Sequence, residues 1–199
     1  MHPNPAFRSK DTALRDAIIE DHPFAAIFLT TPEGARVAHA PIEWADGVVR
    51  FHLANGNALT KHLDGKRALI VVQGPEAFVS ARWYKDSNQV PTWNYVSYEL
   101  EGLASQMEEG ELLGLLERTV HQQETRISKG QPWTMDKLDD HALRGLLRGI
   151  TGFAIEVDAI RETVKLAQHK PKAERDRLIT GLAGEGHADL ADLMGEMPE

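Results

Sequence analysis

From Phe24 to Leu53 the chain carries three strand-type runs with turn signals between them, and few folds accommodate that order. Phe24 to Thr30 is almost continuously apolar. Thr31-Pro32-Glu33-Gly34 follows as a turn, and Arg36 to Trp44 as a second strand. Ala45-Asp46-Gly47 is a hairpin signal, because Asp-Gly supplies the positive φ of a tight turn, and Val48 to Leu53 continues as a third strand. Strands joined this closely pair antiparallel, since a parallel pair needs a crossover of a dozen or more residues. The front of the chain is therefore an antiparallel meander.

The remaining elements extend it. Asp11 to Asp21 has the spacing of a helix, with Ala13, Leu14, Ala17 and Ile18 on one stripe, Ser9 or Asp11 as cap, and Pro23 as stop. Asn55-Gly56-Asn57 interrupts the third strand, and Ala58 to Leu63 fits a short helix closed by Asp64-Gly65. Arg67 to Gln73 is a strong strand. Phe78 to Trp83 and Trp93 to Met107 are predicted as two more, joined by a polar loop. Glu108 to Ile127 is the clearest helix, and Asp136 to Leu147 another. Ile150 to Val157 alternates as a strand, Glu162 to Ala167 is expected as one more, and Lys172 to Leu182 and His187 to Met194 are terminal helices. Strands first, one helical excursion, closing strands, then helices: this order predicts a closed or split antiparallel barrel with helices outside it. The expected organisation is a barrel domain over 1–166 with its helical excursion at about 108–147, and a C-terminal helical extension over 167–199 packed on the same domain.

Composition removes several classes of function. The chain has 199 residues, no cysteine and a formal net charge of −8. Disulfides, thiolate zinc sites, iron–sulfur clusters and cysteine nucleophiles are excluded together. An acidic chain lowers the expectation of direct DNA binding, which draws on a basic face. There is no apolar run of about 18 residues for a membrane span, and Met1 to Ala6 is not a secretory signal. A cytoplasmic location is the expectation. There is no Gly-rich dinucleotide loop, no phosphate-loop lysine motif, and no Gly-x-Ser-x-Gly elbow around Ser80.

Three segments are candidate sites, each beside a plainer reading. His52 to Lys61 is strand, turn and helix start; Asn57 as a cap and Lys61 one turn in would suit a phosphate, or form an ordinary capped helix with an exposed lysine. Gly74 to Tyr95 concentrates Phe78, Trp83, Tyr84, Trp93 and Tyr95. Such rings line a pocket around a planar ligand or fill a β core. Glu162 to Pro171 brings Lys165, Gln168 and Lys170 before a helix, facing a phosphate or a polar ring edge, or lying at a solvated strand end. Lys165, Lys170, Lys172, Arg175 and Arg177 form a modest basic cluster. The nine histidines show no His-x-x-x-His pair with a nearby acid, so no metal site is expected.

In order along the chain, Ala38-His39-Ala40-Pro41, His52-Leu53-Ala54-Asn55-Gly56-Asn57, Gln73-Gly74-Pro75 through Trp83-Tyr84, Val90-Pro91-Thr92-Trp93-Asn94-Tyr95 and Lys165-Leu166-Ala167-Gln168-His169-Lys170-Pro171 resemble motifs of the PaiB family. Its members are known as FMN-binding negative transcriptional regulators. Departures are Ala81-Arg82 in place of Pro-Ser, Ala167 and His169 in place of Ser and Asn, and His2 in place of an opening Tyr. The resemblance implies a mainly β fold with α, an FMN-binding split β-barrel of antiparallel Greek-key type with peripheral helices, and a homodimer with FMN at its interface. It implies a flavin phosphate near Asn57, Thr60 and Lys61, and cofactor contacts from His39, His52, Asn55, Trp83, Trp93, Asn94, Lys165, Gln168 and Lys170. The isoalloxazine ring would lie near the other subunit's aromatic segment. The function expected is flavin binding with redox activity. The alternatives are a regulator acting through DNA or a protein partner without flavin, and a haem-binding relative using His39, His52 or His169. No residue has the spacing of an acid–base pair or nucleophile, so whether the chain is an enzyme stays open.

Overall fold

The computed structural model describes residues 2–197. After a short 3-10 turn at Pro5–Phe7, helix α1 (Thr12–Asp21) leads into strands β1 (Phe24–Thr31), β2 (Gly34–Ala45) and β3 (Val48–Ala54). One helical turn, α2 (Thr60–Leu63), precedes β4 (Arg67–Val79). A 3-10 turn at Ala81–Trp83 and a loop lead to β5 (Thr92–Gln106). Helix α3 (Glu109–Thr125), a 3-10 turn at Met135–Lys137 and α4 (Asp140–Leu147) separate β5 from β6 (Ile150–Lys165). Helices α5 (Lys172–Gly184) and α6 (Ala188–Gly195) follow.

The six strands close into a barrel in the order β1-β2-β3-β6-β5-β4. The expected meander is present: β1 pairs antiparallel with β2, and β2 with β3, across the Asp46-Gly47 hairpin. Both hairpin residues have positive φ, 54° and 78°. Closure comes from β4 returning beside β1 and β6 beside β3, both antiparallel, which is the Greek-key crossing.

Contacts divide the chain into two compact units. One comprises Met1–Ile18, Gln73–Tyr98 and Arg161–Glu199; the other comprises Ile19–Val72 and Glu99–Ile160. Strands β4, β5 and β6 each pass from one unit into the other. The core of the second unit is aromatic and branched. Phe51 and Phe153 are direct cross-strand partners with ring centroids 5.8 Å apart, fully buried with Ile27, Ile70 and Ile155. Each such side chain is worth about 1.5–3 kcal/mol of transfer free energy. In the first unit Val96 and Tyr98 of β5, Val164 of β6 and Leu178 and Leu182 of α5 are fully buried.

Four local expectations are corrected. Phe78 to Trp83 is not a separate strand: β4 runs through to Val79, and a 3-10 turn with Ser80 as its cap ends it. Gly74 lies inside β4. A Cβ on it would lie 3.0 Å from Ile18 and 3.2 Å from Val96, so glycine serves close packing. The strand patterns at Ile150 to Val157 and Glu162 to Ala167 form one strand, β6. The helix expected from Asp136 begins only at Asp140, where Asp139 accepts the Ala142 amide at 2.8 Å. Finally, Asn57 does not cap α2. Leu59 holds that position, and Asn57 accepts the Leu59 amide (2.9 Å) on its side chain and the Thr60 amide (3.1 Å) on its carbonyl, building the turn ahead of the helix.

Candidate functional site

The sequence-derived residues fall into two groups, one on each unit. On the second unit, His39 lies on the outward side of β2, opposite Ala26 of β1, with its ring stacked on Phe24 (6.2 Å, 22°). His52 of β3 faces Gly152 of β6 and is half-buried, and burial pushes its pKa below the ordinary histidine value. Asn55 is fully occupied. Its amide donates to the Gly149 carbonyl (2.9 Å), its Nδ2 to the Arg148 carbonyl (2.8 Å), and its Oδ1 accepts from Thr151 Oγ1 (2.7 Å). Thr60 Oγ1 donates to the Ala54 carbonyl at 2.8 Å. Lys61 is exposed, with Nζ 3.8 Å from Glu33. Thus Asn55, Asn57 and Thr60 spend their polar atoms on the turn, while the Lys61 ammonium reaches solvent. α2 is too short for an appreciable helix dipole.

On the first unit, Trp83 lies against α5. A Cβ on Gly181 would come within 2.5 Å of its ring, and its carbonyl accepts Arg177 Nε at 2.9 Å. Trp93 stands outward on β5, 50% exposed, buttressed edge-on by Phe78 of β4 (6.1 Å, 70°). The next residue, Asn94, points inward and donates to Met194 Sδ at 3.4 Å. Strand alternation sets this division. Lys165 Nζ donates to Thr92 Oγ1 (2.5 Å), and burial lowers its pKa. Gln168 knots the end of β6: its Nε2 donates to the carbonyls of Val164 (2.6 Å) and Ala6 (2.9 Å), and its Oε1 accepts the Leu166 amide (2.8 Å). Lys170 Nζ donates to Gln89 Oε1 (2.6 Å) and lies 5.5 Å over the Tyr84 ring.

Two features of this segment lie outside the expected cofactor contacts, Arg175 having entered only as part of the basic cluster. Ala167 has φ +58°, left-handed backbone that costs an L-residue about 1–2 kcal/mol, and such residues cluster at functional sites. Arg175 of α5 is buried. It shares a stripe with Leu178 and Leu182 at i, i+3 and i+7, a spacing that marks it as inward-facing and that was visible in the sequence. His169, edge-on to Phe7 at 5.6 Å, titrates below its ordinary value because of partial burial and the cations of Lys170 and Lys165. Among the described residues no group of three or more His, Asp or Glu side chains is gathered as a metal site, and no helix is long and apolar enough to cross a membrane.

The strand order closes an antiparallel six-stranded barrel, with Trp93 and Phe78 exposed on its first unit. The family described as "Putative FMN-binding domain" matches residues 1–159, and the chain belongs to it. Protease synthase and sporulation protein PAI 2 of Bacillus subtilis is 30% identical over 185 residues, spanning 88% of this chain and 87% of that protein. The PaiB resemblance therefore holds, and FMN is the cofactor that family membership supports. Among solved structures, the FAD and heme binding protein from Mycobacterium smegmatis matches at TM-score 0.59 and 15% identity, covering 84% of this chain and 78% of that one. The flavocytochrome Anf3 from Azotobacter vinelandii also matches at 0.59 and 15%, covering 87% and 80%. At this identity the likeness establishes the split-barrel fold.

Proposed function

We propose that the protein is a homodimeric flavoprotein in which FMN lies between the two copies, its ring against Trp93 of one and its phosphate near Lys61 of the other. The observation that carries this reading is the Trp93 ring: large, flat, half-exposed and held edge-on by Phe78. An apolar plane fixed in that way is a stacking surface prepared in advance of a ligand. Flavin chemistry, electron transfer through the ring, would be the cofactor's own. The chain's part is to bind, orient and shield it. In this reading Lys165 and Lys170 supply positive charge.

The dimer draws support from the outer side of the β1–β2 hairpin. Phe24, Ala26 and Phe28 face outward, and register sets them opposite Pro41, His39 and Val37. Phe24 is 68% exposed, and Phe28 and Val37 are exposed as well. A contiguous apolar row of this kind is the surface that a second copy covers. Any regulatory role runs through flavin state or a protein partner, since a net charge of −8 disfavours an operator contact.

The test is a fluorescence titration with FMN alongside the absorbance spectrum of purified protein. Wild type is expected to quench FMN, and Trp93→Ala to weaken binding about tenfold, the worth of one aromatic stack, with Tm changed by less than about 2 °C because the ring is half-solvated. Colourless protein without FMN affinity would sink the reading. So would a Trp93→Ala variant that lowers Tm and leaves affinity intact.

A further inference from the structure

Helix α5 carries a charge on its buried stripe. Arg175 is only 7% exposed, in line with the fully buried Leu178 and Leu182. Arginine is seldom so buried unless paired. The cations near it in sequence are paired: Lys172 with Asp176 at 3.1 Å, Arg177 with the Trp83 carbonyl at 2.9 Å, Lys170 with Gln89 at 2.6 Å. The Arg175 side chain makes no hydrogen bond or ion pair among the described residues. Its nitrogens are not sealed either. Among the described residues the fully enclosed polar side-chain atoms without partners are His62 Nε2, Tyr98 Oη and Gln123 Nε2, so the guanidinium keeps access to something that can enter. A guanidinium withdrawn from water without a partner costs free energy that an incoming anion would restore.

The direction of the side chain is set by the helix. Helical side chains lean back over the preceding turn, and Arg175 is the fourth residue of α5. It therefore leans toward the N-terminal end, where the first helical hydrogen bonds run from Glu174 and Arg175 to the Pro171 carbonyl (2.9 and 3.1 Å) and the Lys172 and Ala173 amides precede them. The acid of this turn is engaged elsewhere: the Glu174 carboxylate accepts the Lys85 amide at 3.0 Å. Lys165 and Lys170 precede the helix entry, and His169 between them has its pKa lowered first by burial and then by these two cations. The entry also follows directly on the strained Ala167. All of it lies beyond the residues matched by the FMN-binding family.

We propose that the N-terminal turn of α5, with the Arg175 guanidinium, binds a phosphate-bearing ligand. A doubly charged tetrahedral anion suits a planar fork beside free helix amides better than a singly charged carboxylate does. The phosphate is either that of FMN, which Arg175 rather than Lys61 would then hold, or that of a separate phosphomonoester.

Thermal denaturation of the full chain in inorganic phosphate, against chloride at equal ionic strength, tests the site. In ~10 mM phosphate the wild type is expected to gain about 2–4 °C. Arg175→Met should lose that increment while its Tm in chloride is not lowered, since an unpaired charge has been removed. Arg175→Lys, which keeps the charge but not the fork, serves if the methionine variant does not fold; its increment should fall by more than half. Titration with FMN and riboflavin then identifies the source. A tenfold loss for FMN alone in Arg175→Met assigns the flavin's phosphate, and unchanged FMN binding with a lost phosphate increment assigns a separate ligand. Protein that binds no flavin yet keeps an Arg175-dependent increment refutes the flavin reading and leaves this one standing. An equal increment in wild type and Arg175→Met, or none in either, overturns the proposal.

Discussion

The turn at 54–63 and the segment at 165–175 carry similar residue types, yet they use them differently. In the first, Asn55, Asn57 and Thr60 direct their polar atoms into the backbone around them. In the second, Ala167 is held at positive φ and Arg175 is buried without a partner. A turn whose donors and acceptors are paired contributes stability. A segment with strain and an unpaired charge has given some up, and functional sites are where folded proteins do so. We propose on this basis that 54–63 is structural and that 165–175 binds ligand, with Lys61 as the exposed exception in the first.

Asn55→Ala tests the structural half and should have the largest effect. It removes two side-chain hydrogen bonds of about 1 kcal/mol each in an exposed turn. The expected loss is roughly 1–2 kcal/mol, or about 3–6 °C in Tm, with FMN affinity unchanged wherever the protein remains folded. An Asn55→Ala protein of wild-type Tm that no longer binds FMN would break the comparison, because the turn would then be a contact surface.

How much of this was legible in the sequence follows the range of the interactions. The β1–β2–β3 meander was readable because local turn chemistry at Asp46-Gly47 and strand alternation both specify it. Barrel closure by β4 and β6 is a long-range pairing, reached only from the order of elements and the family motifs. Trp83 was expected at the end of a strand but lies in a 3-10 turn against Gly181, and Gly74 inside β4 packs against Ile18; both positions answer to distant partners that the local pattern does not show. The candidate residues were named by type, and type does not reveal whether a polar atom is already occupied. Gln168 has the composition of a ligand contact but bonds to Val164, Leu166 and Ala6. Arg175 was visible as part of a basic cluster. Its burial emerges only when the α5 stripe is read together with Leu178 and Leu182.

Ala167→Gly sharpens the other half of the comparison with a smaller effect of opposite sign. Glycine adopts φ +58° freely, so the strain of about 1–2 kcal/mol is relieved, less the entropy that glycine loses on folding. The net expectation is a gain of up to about 1 kcal/mol, a Tm rise of roughly 2–4 °C. A drop in Tm would mean that the left-handed residue stores no strain.

The smallest effect separates the regions by the cause of a titration. His52 and His169 both sit below the ordinary histidine value of about 6.5, His52 through burial alone, His169 through partial burial together with Lys170 and Lys165. In both cases the unfolded chain binds the proton more readily. Their contribution to stability is therefore complete above about pH 6.5 and declines as pH falls toward the folded-state values. Salt should tell them apart. Screening weakens the repulsion from the two lysines but leaves the burial cost in place, so between ~10 mM and ~500 mM chloride the His169 midpoint in an NMR titration should rise while that of His52 stays where it is. Inorganic phosphate should raise the His169 midpoint further than chloride at equal ionic strength, because an anion bound at the start of α5 offsets the same two lysines. If both histidines respond equally to salt, the positive field at 165–175 is not what holds His169 down, and the electrostatic difference between the two regions fails.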